Sequence, residues 1–108
     1  MKKKDLTLKK FQKVSKKRWD EGHAVSLNYL EIGACAAGEV GELCNILKKI
    51  KLKRKELNKQ TKEDVAYEIA DSICYLVNLA SQLDIDVEKC IIEKFNIVSD
   101  RYNSKAKL

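Results

Sequence analysis

No proline occurs in the 108 residues of this chain, and glycine occurs only four times. Because proline and glycine form most of the tight turns in β-rich folds, a domain of many short strands is disfavoured. Charged residues make up 35% and apolar residues 44% of the sequence, a balance that is typical of long amphipathic helices. The length suits one domain. We therefore predict one all-α domain that spans residues 1–108.

Apolar residues recur at helical spacing in four segments, and this periodicity predicts a four-helix bundle. We expect a basic N-terminal helix over residues 5–18, a helical core over residues 27–102 and a frayed tail over residues 103–108. Residues 19–23 and 52–60 lack a helical period, and each of these stretches is predicted to be a loop.

Capping residues mark where three of these helices begin. Ser26 and Asp86 are the expected N-caps of the second and fourth helices, because their side-chain oxygens can accept hydrogen bonds from free backbone N–H groups. Thr61 is expected to precede the third helix, in a segment that resembles a capping box.

Several classes of protein are disfavoured by what the sequence lacks. No apolar run approaches the roughly 18 residues of a membrane span, and no signal-peptide core follows the basic start. The single histidine and the absence of a CxxC pair argue against a zinc site. We expect a cytoplasmic protein with reduced, buried thiols at its four cysteines, which are Cys35, Cys44, Cys74 and Cys90.

The net charge of +6 is divided unevenly along the chain. Residues 1–18 carry nine basic side chains and one acidic one, and residues 48–62 carry eight basic side chains and one acidic one. Residues 19–47 and 63–88 contain five and seven acids, with no lysine or arginine. A helix that grips nucleic acid usually carries the basic residues itself, so nucleic acid is not the expected partner of the two central helices.

Two pairs of carboxylates are spaced three residues apart on the central helices: Glu39 with Glu42, and Glu68 with Asp71. This spacing puts both members of a pair on one helix face. Each pair is either part of a solvent-facing strip or half of a cation site between two facing helices. Four oxygen ligands suit Mg²⁺, or alternatively Mn²⁺, and the lone histidine argues against a di-iron centre.

The apolar surface of the third predicted helix spans about 240°, whereas an ordinary surface helix has an apolar stripe of roughly 100°. One small four-helix core cannot cover so wide a surface. We therefore expect a second apolar contact, and hence an oligomer.

Two motifs resemble those of a known enzyme superfamily. The sequence AGEVGEL at residues 37–43, followed by EIAD at residues 68–71, is similar to the ExxE…ExxD signature of the MazG-like all-α nucleoside triphosphate pyrophosphohydrolases. That superfamily includes dCTP pyrophosphatases and dimeric dUTPases. Residues 75–80 and 94–102 resemble its third and fourth helices, and the whole similarity covers about residues 19–102.

The resemblance implies a hydrolase that converts a nucleoside triphosphate to its monophosphate and pyrophosphate. It also implies a four-helix module that assembles as a homodimer or as a homotetramer built from two dimers. Glu39, Glu42, Glu68 and Asp71 would then be the metal ligands and catalytic residues. In this interpretation Mg²⁺ neutralises the carboxylates and activates a water that attacks the α-phosphate.

Eight further residues are predicted to bind the substrate, and they are Trp19, His23, Asn45, Lys49, Tyr75, Asn78, Lys94 and Arg101. The three cationic side chains are candidates for contacts with the phosphates, and the tryptophan and histidine for contacts with the base. Tyr75 resembles a position that lies near the nucleotide in that superfamily. The alternatives are a solvated surface charge for each cation and ordinary packing for each aromatic side chain.

Two other classes of function also fit the sequence. The lysine-rich ends suit a basic helical protein that binds nucleic acid with a strong dependence on salt. A catalytically silent interaction or regulatory module with the same helices is the other alternative, and it would not require a divalent metal.

Overall fold

The structure, a computed structural model, describes residues 5–22 and 27–108. Its four helices, in chain order, are α1 (Leu8–Gly22), α2 (Tyr29–Lys51), α3 (Lys59–Gln82) and α4 (Val87–Arg101). No strand occurs in this part of the chain. The prediction of an all-α fold with four helices is therefore confirmed.

Asparagine side chains cap the two central helices. The Asn28 side chain accepts a hydrogen bond from the Glu31 backbone N–H at 2.9 Å, and the Glu31 side chain accepts one in return from the Asn28 N–H. This capping box begins α2, so the prediction of Ser26 as its N-cap is wrong; Ser26 itself lies outside the described residues. Asn58 likewise accepts from the Thr61 N–H, which places Thr61 inside α3 rather than before it.

Asp86 caps α4 as predicted, since its side chain accepts a hydrogen bond from the Lys89 N–H at 3.1 Å. A glutamine of α1 fixes the turn just before this helix. The Gln12 side-chain amide donates to the Ile85 carbonyl at 2.7 Å and accepts from the Val87 N–H at 2.9 Å. Both ends of one side chain therefore tie α1 to the connection between α3 and α4.

The first helix is longer at its C-terminal end than the predicted span of 5–18. It continues to Gly22, and its last turn carries the i,i+4 ion pairs Lys16–Asp20 and Lys17–Glu21. Such pairs stabilise a helix locally, which explains why the expected loop at residues 19–23 is helical as far as Gly22.

Residues 104–108, which fall in the predicted frayed tail, are non-helical and exposed, and they make contacts with α4. The side-chain amide of Asn96 donates to the Leu108 carbonyl and accepts from the Leu108 N–H, and Lys107 pairs with Asp100. These contacts hold the last residues against α4. The expected loop at 52–60 is shorter than predicted, because α3 already begins at Lys59.

Packing is unevenly distributed among the helices. α2 and α3 form an extensively packed hairpin, α1 lies against α3, and α4 lies against α1 with no comparable packing on the hairpin. Among the described residues the buried apolar side chains are only Ile32, Ala36 and Val77. The single chain therefore has a small core.

The cysteines differ from expectation in their exposure. No disulfide joins the four cysteines. Cys44 and Cys90 are exposed, however, because they lie on helix faces that this chain alone does not cover. Within the described residues, no helix combines the length and hydropathy needed to cross a membrane.

Candidate metal centre and adjoining cavity

Three carboxylates converge where α2 and α3 face each other. One oxygen from each of Glu39, Glu42 and Glu68 lies within 4.8 Å of the other two. The i,i+3 spacing puts the two α2 residues on one face, and the hairpin brings Glu68 of α3 against them. Asp71, the fourth predicted ligand, lies outside this group of three, which we call the carboxylate triad.

The other two carboxylates of the triad make Glu68 harder to ionise. The pKa of Glu68 is raised from 4.5 to about 7, chiefly by a hydrogen bond shared with the Glu39 carboxyl group. Burial and the negative charges of Glu42 and Glu39 raise it further. The Oε2 atom of Glu68 is buried and has no hydrogen-bond partner. A buried oxygen without a partner is costly, so this atom is a candidate ligand for a cation.

No lysine or arginine among the described residues forms an ion pair with the triad. Lysine side chains form ion pairs with Asp20, Glu21, Asp64 and Asp100, but none with a triad member. A divalent cation would supply the missing positive charge and would also satisfy the orphaned oxygen. Carboxylate oxygens are the ligands that Mg²⁺ and Mn²⁺ prefer, so the donor set fits these ions.

A cavity of about 350 Å³ lies between α1 and α3 beside the triad. Its lining consists of Ser15, Arg18, Trp19, Asp71, Cys74, Tyr75 and Asn78. Asp71 belongs to its wall and sits one turn after Glu68, so the cavity adjoins the triad. Burial raises the pKa of Tyr75, and electrostatic interactions with Cys35, Glu39 and Asp71 raise it further.

The structure thus brings four predicted site residues to one cavity: Trp19, Asp71, Tyr75 and Asn78. Three further lining residues, Ser15, Arg18 and Cys74, were absent from the predicted set. Ser15 precedes Trp19 by one helical turn, so a helix continued through Trp19 would have placed both on the same face. Because residues 19–23 were predicted to be a loop, the shared face of Ser15 and Trp19 was not recognised.

Other predicted substrate-binding residues lie elsewhere. Asn45 and Lys49 are exposed on the C-terminal half of α2 and do not line the cavity. Lys94 and Arg101 are exposed on α4, which packs against α1 rather than against the hairpin that carries the triad. His23 lies outside the described residues.

Comparison with known proteins adds no family assignment. No protein-family model, no curated protein and no solved structure matches this chain. The fold and the site define a helical protein with a carboxylate triad suited to a divalent cation and with an adjoining cavity lined by aromatic and polar side chains.

Proposed function

We propose that this protein is a Mg²⁺-dependent nucleoside triphosphate pyrophosphohydrolase of the MazG-like superfamily, with Mn²⁺ as an alternative metal. The observation that carries the proposal is the convergence of Glu39, Glu42 and Glu68 within 4.8 Å, around a buried oxygen that has no partner. The resemblance of residues 37–43 and 68–71 to the superfamily signature supports the same activity.

The carboxylate triad would hold the metal, and Asp71 lies one turn further along α3, on the side of the cavity. When bound, Mg²⁺ supplies charge neutralisation, polarises the phosphoryl group and lowers the pKa of coordinated water. This neutralisation is necessary, because a triphosphate carries about four negative charges and bare carboxylates would repel it.

In the proposed reaction a water oxygen bonds to the α-phosphorus. The bond from that phosphorus to the oxygen bridging the α- and β-phosphates breaks, and pyrophosphate leaves. A carboxylate of the site accepts the water proton. Trp19 and Tyr75 offer ring surfaces for the nucleoside in the cavity, and Arg18 is the basic residue in its lining.

A nucleotide panel tests the activity directly. The protein is incubated with Mg²⁺ and each ribo- and deoxyribonucleoside triphosphate, and released pyrophosphate is measured. We expect release from at least one nucleotide, and loss of release in EDTA. If no nucleotide, modified ones included, yields pyrophosphate, the proposed activity is wrong. A salt-sensitive affinity for nucleic acid in that case would favour the basic binding protein.

We also propose that the protein works as a homodimer or a dimer of dimers. Its radius of gyration is 16.7 Å, against about 13 Å for a compact chain of this length. Its accessible surface of 8824 Å² exceeds that of a typical folded monomer of 12.4 kDa by about 2,700 Å². Obligate interfaces bury about 2,000–5,000 Å² or more over both partners, which is about 1,000–2,500 Å² per chain, so this excess is as large as the surface that a chain buries in one extensive obligate interface.

The exposed apolar side chains indicate where the second copy packs. On α3, Ile69, Ile73 and Leu76 are each at least 44% exposed, and on α4 Ile91 and Phe95 are also exposed. A second copy that covers these faces would complete the core that one chain leaves open.

Size-exclusion chromatography with light scattering checks the assembly. We expect a mass of two or four times 12.4 kDa for the wild-type protein. Ile73→Glu and Phe95→Glu each place a charge in the apolar face and should dissociate the assembly. Leu6→Glu, a matched change at a side chain that is 73% exposed before α1, should leave the mass unchanged. A wild-type mass of 12.4 kDa at micromolar concentrations would contradict self-association.

A further inference from the structure

A buried hydrogen bond lies at the inner wall of the cavity beside the triad. Ser15 of α1 donates its hydroxyl proton to the Asn78 side-chain oxygen of α3 at 2.9 Å. Only 5% of Ser15 and 7% of Asn78 is exposed, and both residues line the cavity. The two positions are 63 residues apart in the sequence, so the bond is a tertiary contact between helices.

This bond decides which end of the asparagine amide meets a ligand. A serine inside a helix often returns its hydroxyl proton to a backbone carbonyl one turn earlier, but Ser15 gives its proton to Asn78. An asparagine side chain has one acceptor oxygen and one NH₂ group with two donor hydrogens. With the oxygen held by Ser15, the amide cannot turn freely, and its NH₂ group is the end available as a donor to a ligand in the cavity.

A fixed donor at a buried wall discriminates between ligands. A ligand edge with a carbonyl oxygen would accept a hydrogen bond from the NH₂ group. An edge with an amino group would place two donors opposite each other, and no hydrogen bond would form. Sites built around such a bond reject the mismatched ligand strongly, because the buried polar group is left unpaired.

We infer that Ser15 positions the amide of Asn78 so that the cavity selects nucleobases with a keto group over those with an amino group in the matching ring position. The favoured bases are of the uracil, thymine or guanine type, and the disfavoured ones of the cytosine or adenine type. Asn78 is then a specificity-determining residue, and Ser15 is a positioning residue that acts through it. This inference rests on the proposed function, because it assigns the cavity to the nucleoside.

The first experiment changes the polarity of the amide. Asn78→Asp keeps the shape and the oxygen that accepts from Ser15, but replaces the NH₂ group by a second acceptor. At pH 8 the wild-type kcat/KM should favour dUTP over dCTP and dGTP over dATP by at least tenfold. Asn78→Asp should reduce or invert both ratios, mainly through KM. Gln82→Glu, the same chemical change one turn later on an exposed part of α3, should leave both ratios unchanged.

A second pair of variants tests the positioning role and does not require a buried charge. Ser15→Ala removes the hydroxyl and frees the amide to rotate, so the dUTP:dCTP ratio should fall towards one. Ser15→Thr retains the hydroxyl and should restore the ratio, which a purely structural role would not require. A wild-type preference for the amino bases, or ratios unchanged in Asn78→Asp and Ser15→Ala, would overturn the inference.

Binding measurements separate this inference from the proposed activity. Calorimetric titration with dUMP and dCMP needs no hydrolysis. Tighter binding of dUMP that is lost in Asn78→Asp supports the inference even if no triphosphate is turned over. If triphosphates are hydrolysed but none of these variants changes the kcat/KM ratios between bases, the activity is supported and the inference is overturned. If neither monophosphate binds and no triphosphate reacts, both are wrong.

Discussion

Replacing Glu39 or Glu68 with glutamine is expected to abolish pyrophosphate release while leaving the helical fold in place. Each substitution replaces one carboxyl oxygen of the triad, whose three oxygens lie within 4.8 Å of one another, by an amide NH₂ group. Loss of residues that merely orient metal ligands typically costs about 10–100-fold in activity or metal affinity. Loss of a ligand itself should exceed that range, so we expect a decrease of at least about a hundredfold in kcat/KM.

Stability should not fall with activity in these two variants. Glutamine has nearly the shape of glutamate, and it removes like-charge repulsion that nothing in the described residues offsets. Circular dichroism should show unchanged helix content, and the melting temperature without metal should be equal or higher. Glu63→Gln, on an exposed part of α3 away from the triad, is the matched control and should retain full turnover. Wild-type turnover in both Glu39→Gln and Glu68→Gln would contradict the assignment of the site.

The spacing of the acids was enough to predict part of the site. Residues three apart share a helix face whatever the tertiary fold, so Glu39 and Glu42 were certain to be neighbours once α2 formed. Whether Glu68 or Asp71 meets them depends on how α3 is rotated and shifted against α2. That relation is set by side-chain packing along the whole hairpin, and it is not contained in the spacing of four acids.

The cavity shows a different limit of sequence reasoning. Its α1 wall requires Ser15 and Trp19 to lie on one continuous helix, yet the apolar period weakens after residue 18. The ion pairs from Lys16 and Lys17 support this last turn, and they are a weaker signal than hydrophobic periodicity. The long-range contact between Ser15 and Asn78 has no signature in either local segment.

The wide apolar surface of α3 predicts a second apolar contact, and this stays a prediction. Ile69, Ile73 and Leu76 remain exposed in the single chain, as a surface of that width requires. The sequence did not indicate that α4 would pack mainly against α1 and leave the hairpin uncovered on its apolar side. A pattern of apolar residues gives the amount of surface to be buried, but it does not give the helix that buries it.

The stability of the metal-free protein is expected to fall as the pH rises from 5 to 8, and divalent metal should reverse this fall. The pKa of Glu68 is raised from 4.5 to about 7 in the folded protein. A raised pKa means that the folded state binds the proton more tightly than the unfolded state. The stabilising contribution is therefore complete below about pH 4.5 and is lost as the pH rises through about 7.

Metal and proton compete for the same carboxylate, so metal affinity should rise across the same pH range and level off above about pH 7. At ten times its Kd, a bound cation stabilises the folded state by about 1.4 kcal/mol. This corresponds to an increase of several degrees in Tm for a domain of this size. Thermal denaturation with and without Mg²⁺ or Mn²⁺, at pH 5, 6, 7 and 8, measures both effects without any nucleotide.

Glu68→Gln tests whether Glu68 causes the pH dependence of stability and of metal binding, because glutamine does not titrate. The variant should show a flatter dependence of Tm on pH in the absence of metal and a much smaller metal-induced shift at pH 8, whereas Glu63→Gln should behave as the wild type. A wild-type Tm that is constant between pH 5 and 8 would contradict the coupling between Glu68 protonation and stability. A metal-induced increase in Tm that is the same at every pH would contradict the competition between proton and metal. Since the measurement needs no turnover, a metal shift without pyrophosphate release would indicate a metal-binding module, and the absence of both would favour the silent interaction module.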